Sequence, residues 1–279
     1  MSAPIEFLTE GARSFRPAAV TFDADGVLHR GRAVLPGAVD LIGRLEQRGI
    51  PWMIVTNNSR QTPAVAARHY RDLGLPVDPR HVSTAAQAMA TYVATHHQGP
   101  GRPRVFSLGD HDLAATLEGA GCEVTDDEHA AEWLATALDR SVDYDRLRRA
   151  CDAVRDGAQF LTANLDPTIP SETGAIPGVG ALAAFIQVAT GVEPVNIGKP
   201  GPELMLQAVD AMGATAERSA HLGDRLDSDV QGARRAGMLA VLVETGGHTR
   251  DDLASAGPSE RPDVVARDLA TVMDWWELT

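Results

Sequence analysis

The fold is decided by the stretch Ala18-Ala19-Val20-Thr21-Phe22-Asp23-Ala24-Asp25-Gly26-Val27-Leu28. Its first half is apolar, β-branched or aromatic, which is typical of a buried parallel strand. Two carboxylates then follow two residues apart, and a glycine comes directly after them. In an open α/β sheet the reactive side chains lie just beyond the carboxyl ends of the strands. We therefore predict that Asp23 ends the strand, that Asp25 lies on the next loop, and that Gly26 turns the backbone away.

The length and the charge of the chain limit the classes of protein to which it can belong. The chain has 279 residues, enough for one large or two medium domains. Its net charge of −13 argues against a nucleic-acid partner, because phosphate backbones require basic patches. Cys122 and Cys151 form no C-x-x-C pair, which argues against a disulfide framework and a structural zinc site. With no signal-peptide pattern and no membrane-length apolar run, we expect a cytoplasmic protein without a membrane partner.

Strands and helices alternate along both ends of the chain, and glycines separate them. This β-loop-α rhythm predicts an α/β fold with a doubly wound, Rossmann-like parallel sheet. The segment 82–180 has strands and helices of its own and is long enough to fold as a separate unit. We therefore predict a discontinuous core of 1–81 and 181–279 with an inserted α/β cap domain of 82–180, which ends at a hinge over 177–180.

Polar side chains follow four of the predicted core strands. They are Asp23 and Asp25, Thr56 and Asn57, Lys199, and the aspartates of 224–229. The carboxyl ends of parallel strands share one edge of a sheet, so these groups are expected to meet. Lys199 is the single lysine among the 25 Lys and Arg residues, and its compact positive charge suits an anionic phosphate. The pattern predicts a site that handles phosphate.

Each residue type has a chemical reason to be in such a site. The carboxylates of Asp23 and Asp224 suit Mg²⁺, and the backbone carbonyl of Asp25 could complete its shell. Thr56 and Asn57 could hold phosphate oxygens. Asn58 could do the same or could cap its own loop.

The carboxylates can also divide the work of the reaction. Asp23 could attack phosphorus to form an aspartyl-phosphate. Asp25 could protonate the leaving oxygen and later deprotonate water. We expect Asp227 and Asp229 to orient Lys199 and metal-bound waters, with capping of the helix near residue 228 as the alternative for Asp227.

Together these residues resemble the haloacid dehalogenase superfamily. Its four motifs correspond here to Asp23-Ala24-Asp25-Gly26-Val27, Val55-Thr56-Asn57-Asn58-Ser59-Arg60, Ile197-Gly198-Lys199-Pro200 and Gly223-Asp224-Arg225-Leu226-Asp227-Ser228-Asp229. The dehalogenases lack the second acid of the first motif, so Asp25 indicates the phosphatases. A cap between the second and third motifs is similar to the branch with NagD, 4-nitrophenylphosphatases, phosphoglycolate phosphatases and pyridoxal-phosphate phosphatases. The resemblance implies a homodimer through the cap.

In that branch a cap loop selects the substrate, and 138–144 looks like that loop. Arg140 could pair with a carboxylate or second phosphate of the substrate, or it could be a solvated surface residue. Ser141 stands where some relatives carry histidine, which argues against pyridoxal phosphate and phosphoglycolate. Asn164 and Asp166 are expected to organise the junction of cap and core, with substrate contact as the alternative.

The sequence thus predicts a Mg²⁺-dependent phosphatase acting on a small phosphorylated metabolite. Glycerol phosphate, phosphoglycolate, a sugar phosphate, pyridoxal phosphate and a nucleoside monophosphate each remain open as the substrate. Two alternatives also remain open. One is a non-catalytic protein that senses a phosphometabolite, and the other is a phosphotransferase to an acceptor other than water.

Overall fold

The computed structural model describes residues 3–171 and 174–278, and the chain divides into two compact units. The first unit comprises Met1–Thr56, Pro63–Ser83 and Lys199–Thr279, and the second comprises Asn57–Thr62 and Thr84–Gly198. The strands of the described residues are β1 (Ile5–Phe7), β2 (Ala19–Phe22), β3 (His29–Arg30), β4 (Ala33–Val34), β5 (Trp52–Thr56), β6 (Val82–Thr84), β7 (Arg104–Leu108), β8 (Glu123–Val124), β9 (Trp133–Thr136), β10 (Gln159–Thr162), β11 (Thr168–Ser171), β12 (Gly174–Pro177), β13 (Val195–Asn196), β14 (Ser219–Gly223), β15 (Leu239–Val243) and β16 (Val264–Ala266). The helices are α1 (Ala38–Gln47), α2 (Pro63–Leu73), α3 (Ala85–His96), α4 (His111–Gly119), α5 (Tyr144–Arg155), α6 (Val179–Thr190), α7 (Glu203–Ala211), α8 (Gln231–Arg235) and α9 (Leu269–Trp275).

The first unit is built on one sheet with strand order β1-β16-β15-β14-β2-β5-β6. The pairs from β16 through β15, β14 and β2 to β5 are parallel, and the edge strand β1 pairs antiparallel with β16. All residues of β2 are buried, as expected for a central strand covered on both faces. The predicted doubly wound α/β core is confirmed, and β2 lies at its centre.

Helices of the first unit bury apolar faces against this sheet. In α1 the buried residues are Ala38, Leu41, Ile42 and Leu45, which recur at the three- and four-residue spacing of one helix face. In α2 the buried residues are Ala66, Ala67 and Tyr70. The small alanines let α2 approach the sheet closely, and Tyr70 is the large side chain that it brings into the core.

The second unit contains a separate sheet with strand order β13-β10-β9-β7-β8, in which the strands pair parallel. A core of Phe106, Leu134, Phe160 and Ile186 lies against it. Cys122 and Cys151 are buried free thiols. A hairpin of β11 and β12, which the sequence analysis did not predict, precedes α6.

The second boundary between the units differs from the predicted one. Residues 181–198 belong to the second unit, because α6 contributes Ile186 to its core and β13 pairs with β10. The predicted hinge is not an open linker either. The amides of Gly178 and Gly180 donate to the carbonyls of Pro167 and Asp166, at 2.9 Å each. A Cβ on Gly180 would lie 2.3 Å from the Leu165 carbonyl oxygen, so this segment is closely packed.

Across residues 3–171 and 174–278, the helices are all too short or too polar to cross a bilayer.

Candidate active site

One buried lysine organises the predicted strand ends of the first unit. Lys199 precedes α7, and its side chain is 3% exposed. Its Nζ donates to Asp23 Oδ1, directly after β2, and lies 2.7 Å from Asp229 Oδ1. Asp229 belongs to the single π-helical turn over 226–230 that follows β14. The ammonium group is therefore held between two carboxylates from two different strand ends.

A third carboxylate completes an acidic cluster. Asp23, Asp224 and Asp229 each offer an oxygen within 4.8 Å of the oxygens of the other two. Asp224 is 6% exposed, and its Oδ2 accepts a hydrogen bond of 2.6 Å from the Gly247 amide. Three hard oxygen donors around one point suit a divalent cation such as Mg²⁺. The structure thus brings together the predicted residues Asp23, Lys199 and Asp224.

The charges of this cluster are unequally stabilised. Burial raises the pKa of Asp23 to about 6, against the attraction of Lys199. Burial and the neighbouring charge of Asp229 raise the pKa of Asp224 to about 7. Burial alone would raise the pKa of Asp229, but Lys199 outweighs it and holds that pKa far below its usual range. Burial likewise acts to lower the pKa of Lys199, and the two carboxylates outweigh it and raise that pKa. Lys199 and Asp229 therefore form a permanent ion pair.

The raised pKa values of Asp23 and Asp224 indicate that the site has too little positive charge for its carboxylates, which a metal ion would supply. Burial is the main reason that both carboxylates resist ionisation, and the negative charge of Asp229 adds to it in each case. One ammonium group does not neutralise three carboxylates. A bound divalent cation would supply the missing positive charge, so the donor set and its electrostatics both fit Mg²⁺.

Glycines make room for these aspartates. A Cβ on Gly26 would lie 2.3 Å from Asp224 Oδ2, and Gly26 also has a φ of +82°. A Cβ on Gly246 would lie 2.0 Å from the same oxygen. Gly246 and Gly247 were not predicted as site residues, although they follow β15 as the predicted groups follow their own strands. Only glycine at these places lets the backbone approach Asp224 closely.

Asp229 is fixed from several directions. Its Oδ2 accepts hydrogen bonds from the amides of Asp224 and Arg225, at 3.2 and 3.0 Å. His221 Nε2 lies 3.6 Å from its Oδ1, and His221 Nδ1 lies 2.9 Å from Thr21 Oγ1. Burial lowers the pKa of His221, which keeps the ring neutral. The sequence analysis did not single out His221, because a histidine inside a strand carries no motif.

Asp227 has a different environment from the one expected. Its carboxylate pairs with Arg225, through Nε at 3.0 Å and Nη2 at 2.6 Å, and it is 50% exposed. Neither the π-helical turn nor α8 has a side-chain cap. The structure therefore makes Asp227 the partner of Arg225, and its role toward Lys199 and metal-bound waters stays a prediction.

Asp25 is the exposed residue of an otherwise buried loop after Asp23. Its side chain is 76% exposed, and His29 Nδ1 lies 3.8 Å from its Oδ1. The loop is closed by the Gly26 amide, which donates to the His29 carbonyl at 2.7 Å and leads into the β3-β4 hairpin. An exposed carboxylate two residues from Asp23 is suited to exchange protons with a substrate or with water.

Thr56 is the last residue of β5. Tyr70 of α2 is 5% exposed, and Thr56 is among the groups that act to lower its pKa. Burial and the nearby charge of Asp23 raise the pKa of Tyr70, so the phenol stays protonated. The sequence analysis missed Tyr70 because its helical spacing marks it only as a core residue.

The other predicted phosphate-binding residues lie in the second unit. Arg60 N donates to Asn58 Oδ1 at 2.9 Å, so Asn58 caps its own loop, which was one of its two predicted roles. Asn164 Nδ2 donates to the Asn57 carbonyl at 3.0 Å, and Asp166 N donates to Asn164 Oδ1 at 3.1 Å. A cavity of about 350 Å³ brings these residues together; its lining includes Asn57, Asn58, Ser59, Arg60, Asn164 and Asp166.

The predicted specificity loop is held by Asp139. Its carboxylate, 2% exposed, accepts from Ser141 N at 2.8 Å, from Ser141 Oγ at 2.6 Å and from Arg146. Arg146 Nη2 also donates to the Ser107 carbonyl at 2.9 Å. Arg140 is exposed, as are Ser141, Asp143 and Tyr144. Ser141 therefore shapes this loop, and Arg140 is one of its solvent-exposed residues.

Comparison with known proteins agrees with this geometry. A family model described as haloacid dehalogenase-like hydrolase matches residues 20–123, and a HAD-hydrolase-like model matches residues 196–272. An acid sugar phosphatase of Staphylococcus epidermidis is 35% identical over 237 residues, which cover 85% of this chain and 90% of that protein.

Solved structures of phosphatases are also similar to this chain. A glycerol phosphate phosphatase from Mycobacterium tuberculosis, in complex with magnesium, is 32% identical with a TM-score of 0.82 and covers 92% of this chain and 76% of that one. NagD from Escherichia coli is 28% identical with a TM-score of 0.82 and covers 92% of this chain and 98% of that one.

The fold and the site define a hydrolase of the haloacid dehalogenase superfamily. Within it, the chain belongs to the NagD-like branch of phosphatases.

Proposed function

We propose that this phosphatase hydrolyses a small phosphomonoester in a Mg²⁺-dependent reaction, with Asp23 as the nucleophile. The observation that carries the proposal is the position of Lys199 between Asp23 and Asp229, with Asp224 beside them. This arrangement supports the proposal, because a phosphate group needs a fixed positive charge nearby in order to approach a carboxylate.

The positions of these side chains support the following reaction. An oxygen of Asp23 attacks phosphorus, the bond to the leaving oxygen breaks, and an aspartyl-phosphate forms. Asp25 gives its proton to the leaving oxygen and then takes a proton from the water that releases phosphate. Thr56 and Lys199 hold phosphate oxygens, and Asp229 keeps Lys199 in place. Mg²⁺, held by Asp23, Asp224 and the Asp25 carbonyl, would neutralise charge on the phosphate.

The substrate class is supported by the relatives. The curated relative is named an acid sugar phosphatase, and a structural neighbour is a glycerol phosphate phosphatase. We propose a sugar phosphate or polyol phosphate as the substrate of this chain.

The test is a panel of phosphomonoesters assayed with Mg²⁺ and with EDTA. The panel contains glycerol phosphates, hexose and pentose phosphates, phosphoglycolate, pyridoxal phosphate and nucleoside monophosphates. Asp23→Asn should lose at least about 1,000-fold in kcat, because a carboxamide is not a nucleophile here. Asp40→Asn, on the exposed face of α1, is the matched control and should keep wild-type activity. Equal activity of Asp23→Asn and Asp40→Asn would refute the assignment.

Two further proposals concern the whole molecule. A homodimer through the second unit is supported by its exposed apolar side chains, which include Tyr144 at 75%, Phe185 at 37% and Val188 at 86% exposure. A cytoplasmic location is supported by the free thiols of Cys122 and Cys151, which suit a reducing compartment. Light scattering of the purified protein, with and without Val188→Glu, tests the dimer.

A further inference from the structure

Two polar side chains lie opposite each other inside the central sheet of the first unit. Thr21 of β2 and His221 of β14 are register partners, and they are 0% and 1% exposed. His221 Nδ1 lies 2.9 Å from Thr21 Oγ1, so the two side chains share a hydrogen bond. Their neighbours along both strands are apolar residues of the core. Burying polar groups costs free energy unless each one meets a suitable partner, so the second ring nitrogen of His221 also needs one.

The second ring nitrogen of His221 faces the ion pair of the proposed active site. His221 Nε2 lies 3.6 Å from Asp229 Oδ1, and the same oxygen lies 2.7 Å from Lys199 Nζ. Among the residues that the structure describes, Nε2 has no partner within hydrogen-bond distance. Its contact with Asp229 is slightly longer than a hydrogen bond and joins a carboxylate to the polar edge of the ring. Whether this contact is attractive depends on which ring nitrogen carries the proton.

The charge of Asp229 decides which nitrogen carries that proton. The ring is neutral, since burial lowers the pKa of His221, so only one of its nitrogens bears hydrogen. Asp229 is ionised, because Lys199 outweighs the effect of burial and keeps the pKa of Asp229 far below its usual range. A lone pair on Nε2 would face this anion, whereas an N–H group there directs the positive end of its dipole at it. Nδ1 must then accept a hydrogen bond, and the Thr21 hydroxyl donates it.

The two oxygens of Asp229 then have partners on different sides. Oδ2 accepts hydrogen bonds from the amides of Asp224 and Arg225, at 3.2 and 3.0 Å. Oδ1 lies beside Lys199 and His221. An N–H dipole directed at Oδ1 opposes rotation of the carboxylate away from Lys199. Because Asp229 holds the ammonium group of Lys199, a group that orients Asp229 also positions Lys199.

We propose that His221 is a positioning residue: Thr21 holds it in the tautomer with the proton on Nε2, and this N–H group orients Asp229 and thereby fixes the Lys199 ammonium group. The inference rests on the proposed function, since it is Lys199 that holds the phosphate there. It gives a role to two strand residues that belong to none of the four motifs of the superfamily.

The tautomer is tested on the wild-type protein through the ¹⁵N chemical shifts of the histidine ring nitrogens. A nitrogen that bears hydrogen and one that does not have well-separated shifts, and the signals absent from His221→Gln identify those of His221. We expect Nε2 to be protonated and Nδ1 to be unprotonated. The reverse assignment would overturn the proposal, and so would a ring that is protonated on both nitrogens.

The effect on the site is tested with variants of the same two strands. His221→Met removes both ring nitrogens, whereas His221→Gln ends in an amide whose N–H group can take the place of that on Nε2. Thr21→Val removes the hydroxyl with little change of shape and is made alone and together with His221→Met. Ser219→Ala, which removes a buried hydroxyl at the other end of β14, is the matched control. Turnover of 4-nitrophenyl phosphate with Mg²⁺ gives kcat and KM, and inorganic phosphate gives an inhibition constant.

We expect His221→Met to raise KM and the inhibition constant of phosphate by about three- to tenfold, with a smaller change in kcat, because a polar group beside a charge is lost. His221→Gln should stay within about twofold of the wild type, since it keeps an N–H group. Thr21→Val should raise both constants alone and should add nothing in the His221→Met background, because Thr21 acts through His221. Ser219→Ala should match the wild type in both constants.

Three results with the variants would overturn the role of His221. The first is a wild-type KM and phosphate inhibition constant in His221→Met. The second is an equal rise in His221→Met, His221→Gln and Ser219→Ala, which would mean that any change in this strand loosens the site. The third is a Thr21→Val effect of the same size in both backgrounds. If His221→Met does not fold, Thr21→Val and the nitrogen shifts still decide the question.

Failure of the proposed function would look different from failure of this inference. A wild-type protein without turnover on any phosphomonoester would refute hydrolysis. The nitrogen shifts need no turnover, and the stabilisation of each variant by orthovanadate, followed by its melting temperature, reports binding alone. Those two measurements would therefore still decide whether His221 positions Lys199.

Discussion

Gly246 provides the sharpest test of how the backbone supports the acidic cluster. A Cβ at this position would lie 2.0 Å from Asp224 Oδ2 and 2.4 Å from Asp224 Cβ. An ordinary non-bonded contact is about 3.5 Å, so Gly246→Ala requires a movement of roughly 1.5 Å. Neither Gly246 nor its neighbour Gly247 has a left-handed φ, so alanine at either place tests the contact and adds no backbone strain.

The expected effect of Gly246→Ala is on activity and metal affinity. Displacing a catalytic group by about 1 Å can cost about 100-fold in rate, so we expect a loss of that order in kcat/KM with 4-nitrophenyl phosphate. The Mg²⁺ concentration for half-maximal activity should rise in parallel. We also expect unfolding to become easier by about 1–3 kcal/mol, because the loop is overpacked.

Gly247→Ala is the matched control in the same loop. Its Cβ would meet its nearest atoms at 3.4 Å, and the backbone amide that binds Asp224 is kept. We expect activity within about threefold of the wild type, as for other substitutions without a clash. The reasoning is refuted if Gly246→Ala keeps wild-type activity and Mg²⁺ dependence, or if the two alanine variants lose activity equally.

Three more predictions follow from the charges of the site and of the loop over 138–144. First, protons compete with Mg²⁺ at Asp224, with a pKa of about 7, and at Asp23, with a pKa of about 6, so metal affinity should fall about tenfold per pH unit between pH 7 and 6 and more steeply below. Titration of the melting temperature with Mg²⁺ from pH 5.5 to 8 measures this, and a flat profile would contradict it. Second, Asp229→Asn should lower kcat by about 100-fold or more, because Lys199 loses a buried counter-charge, whereas Asp227→Asn, half exposed, should stay within about threefold in the same assay. Third, Arg140→Ala should raise KM for substrates with a second anionic group and leave KM for 4-nitrophenyl phosphate unchanged; an equal change for both would remove Arg140 from substrate selection.

Much of the core could be predicted from the sequence, because the residues that indicate each strand are close together in the chain. The run ending at Asp23 is apolar and β-branched, and its position as a central strand with a carboxylate at its end was predicted from those residues alone. Lys199 and Asp224 were predicted as its neighbours, and the structure brings them together. The reason is general, because parallel strands have their carboxyl ends at one edge of the sheet. Polar residues that follow different strands are therefore expected to lie close together.

The boundary between the two units was not predictable in the same way. The segment of α6 and β13 has the same helix-then-strand rhythm as the core, and local periodicity does not state which sheet a strand joins. This segment belongs to the second unit because Val195 pairs with Leu161 and Asn196 pairs with Thr162, and the paired residues are far apart in sequence. Strand pairing over such distances is set by tertiary packing, which a pattern of apolar residues does not encode.

The missed site residues share one property: each acts through another residue. Gly246 makes room for Asp224, and His221 lies beside Asp229. A supporting residue of this kind needs no motif spacing, because its position depends on the three-dimensional neighbourhood of its partner.

The central claim, that Asp23 takes the phosphoryl group, is tested most directly in the Asp25→Asn variant with 4-nitrophenyl phosphate and Mg²⁺. Nitrophenolate leaves readily without an acid, whereas release of phosphate still needs the base that this variant lacks. We predict a burst of one nitrophenolate per active site, followed by slow turnover, and a phosphoryl group on Asp23 in the acid-quenched protein by peptide mass spectrometry. A phosphoryl group on another residue, or steady turnover with no burst and an unmodified Asp23, would contradict the account.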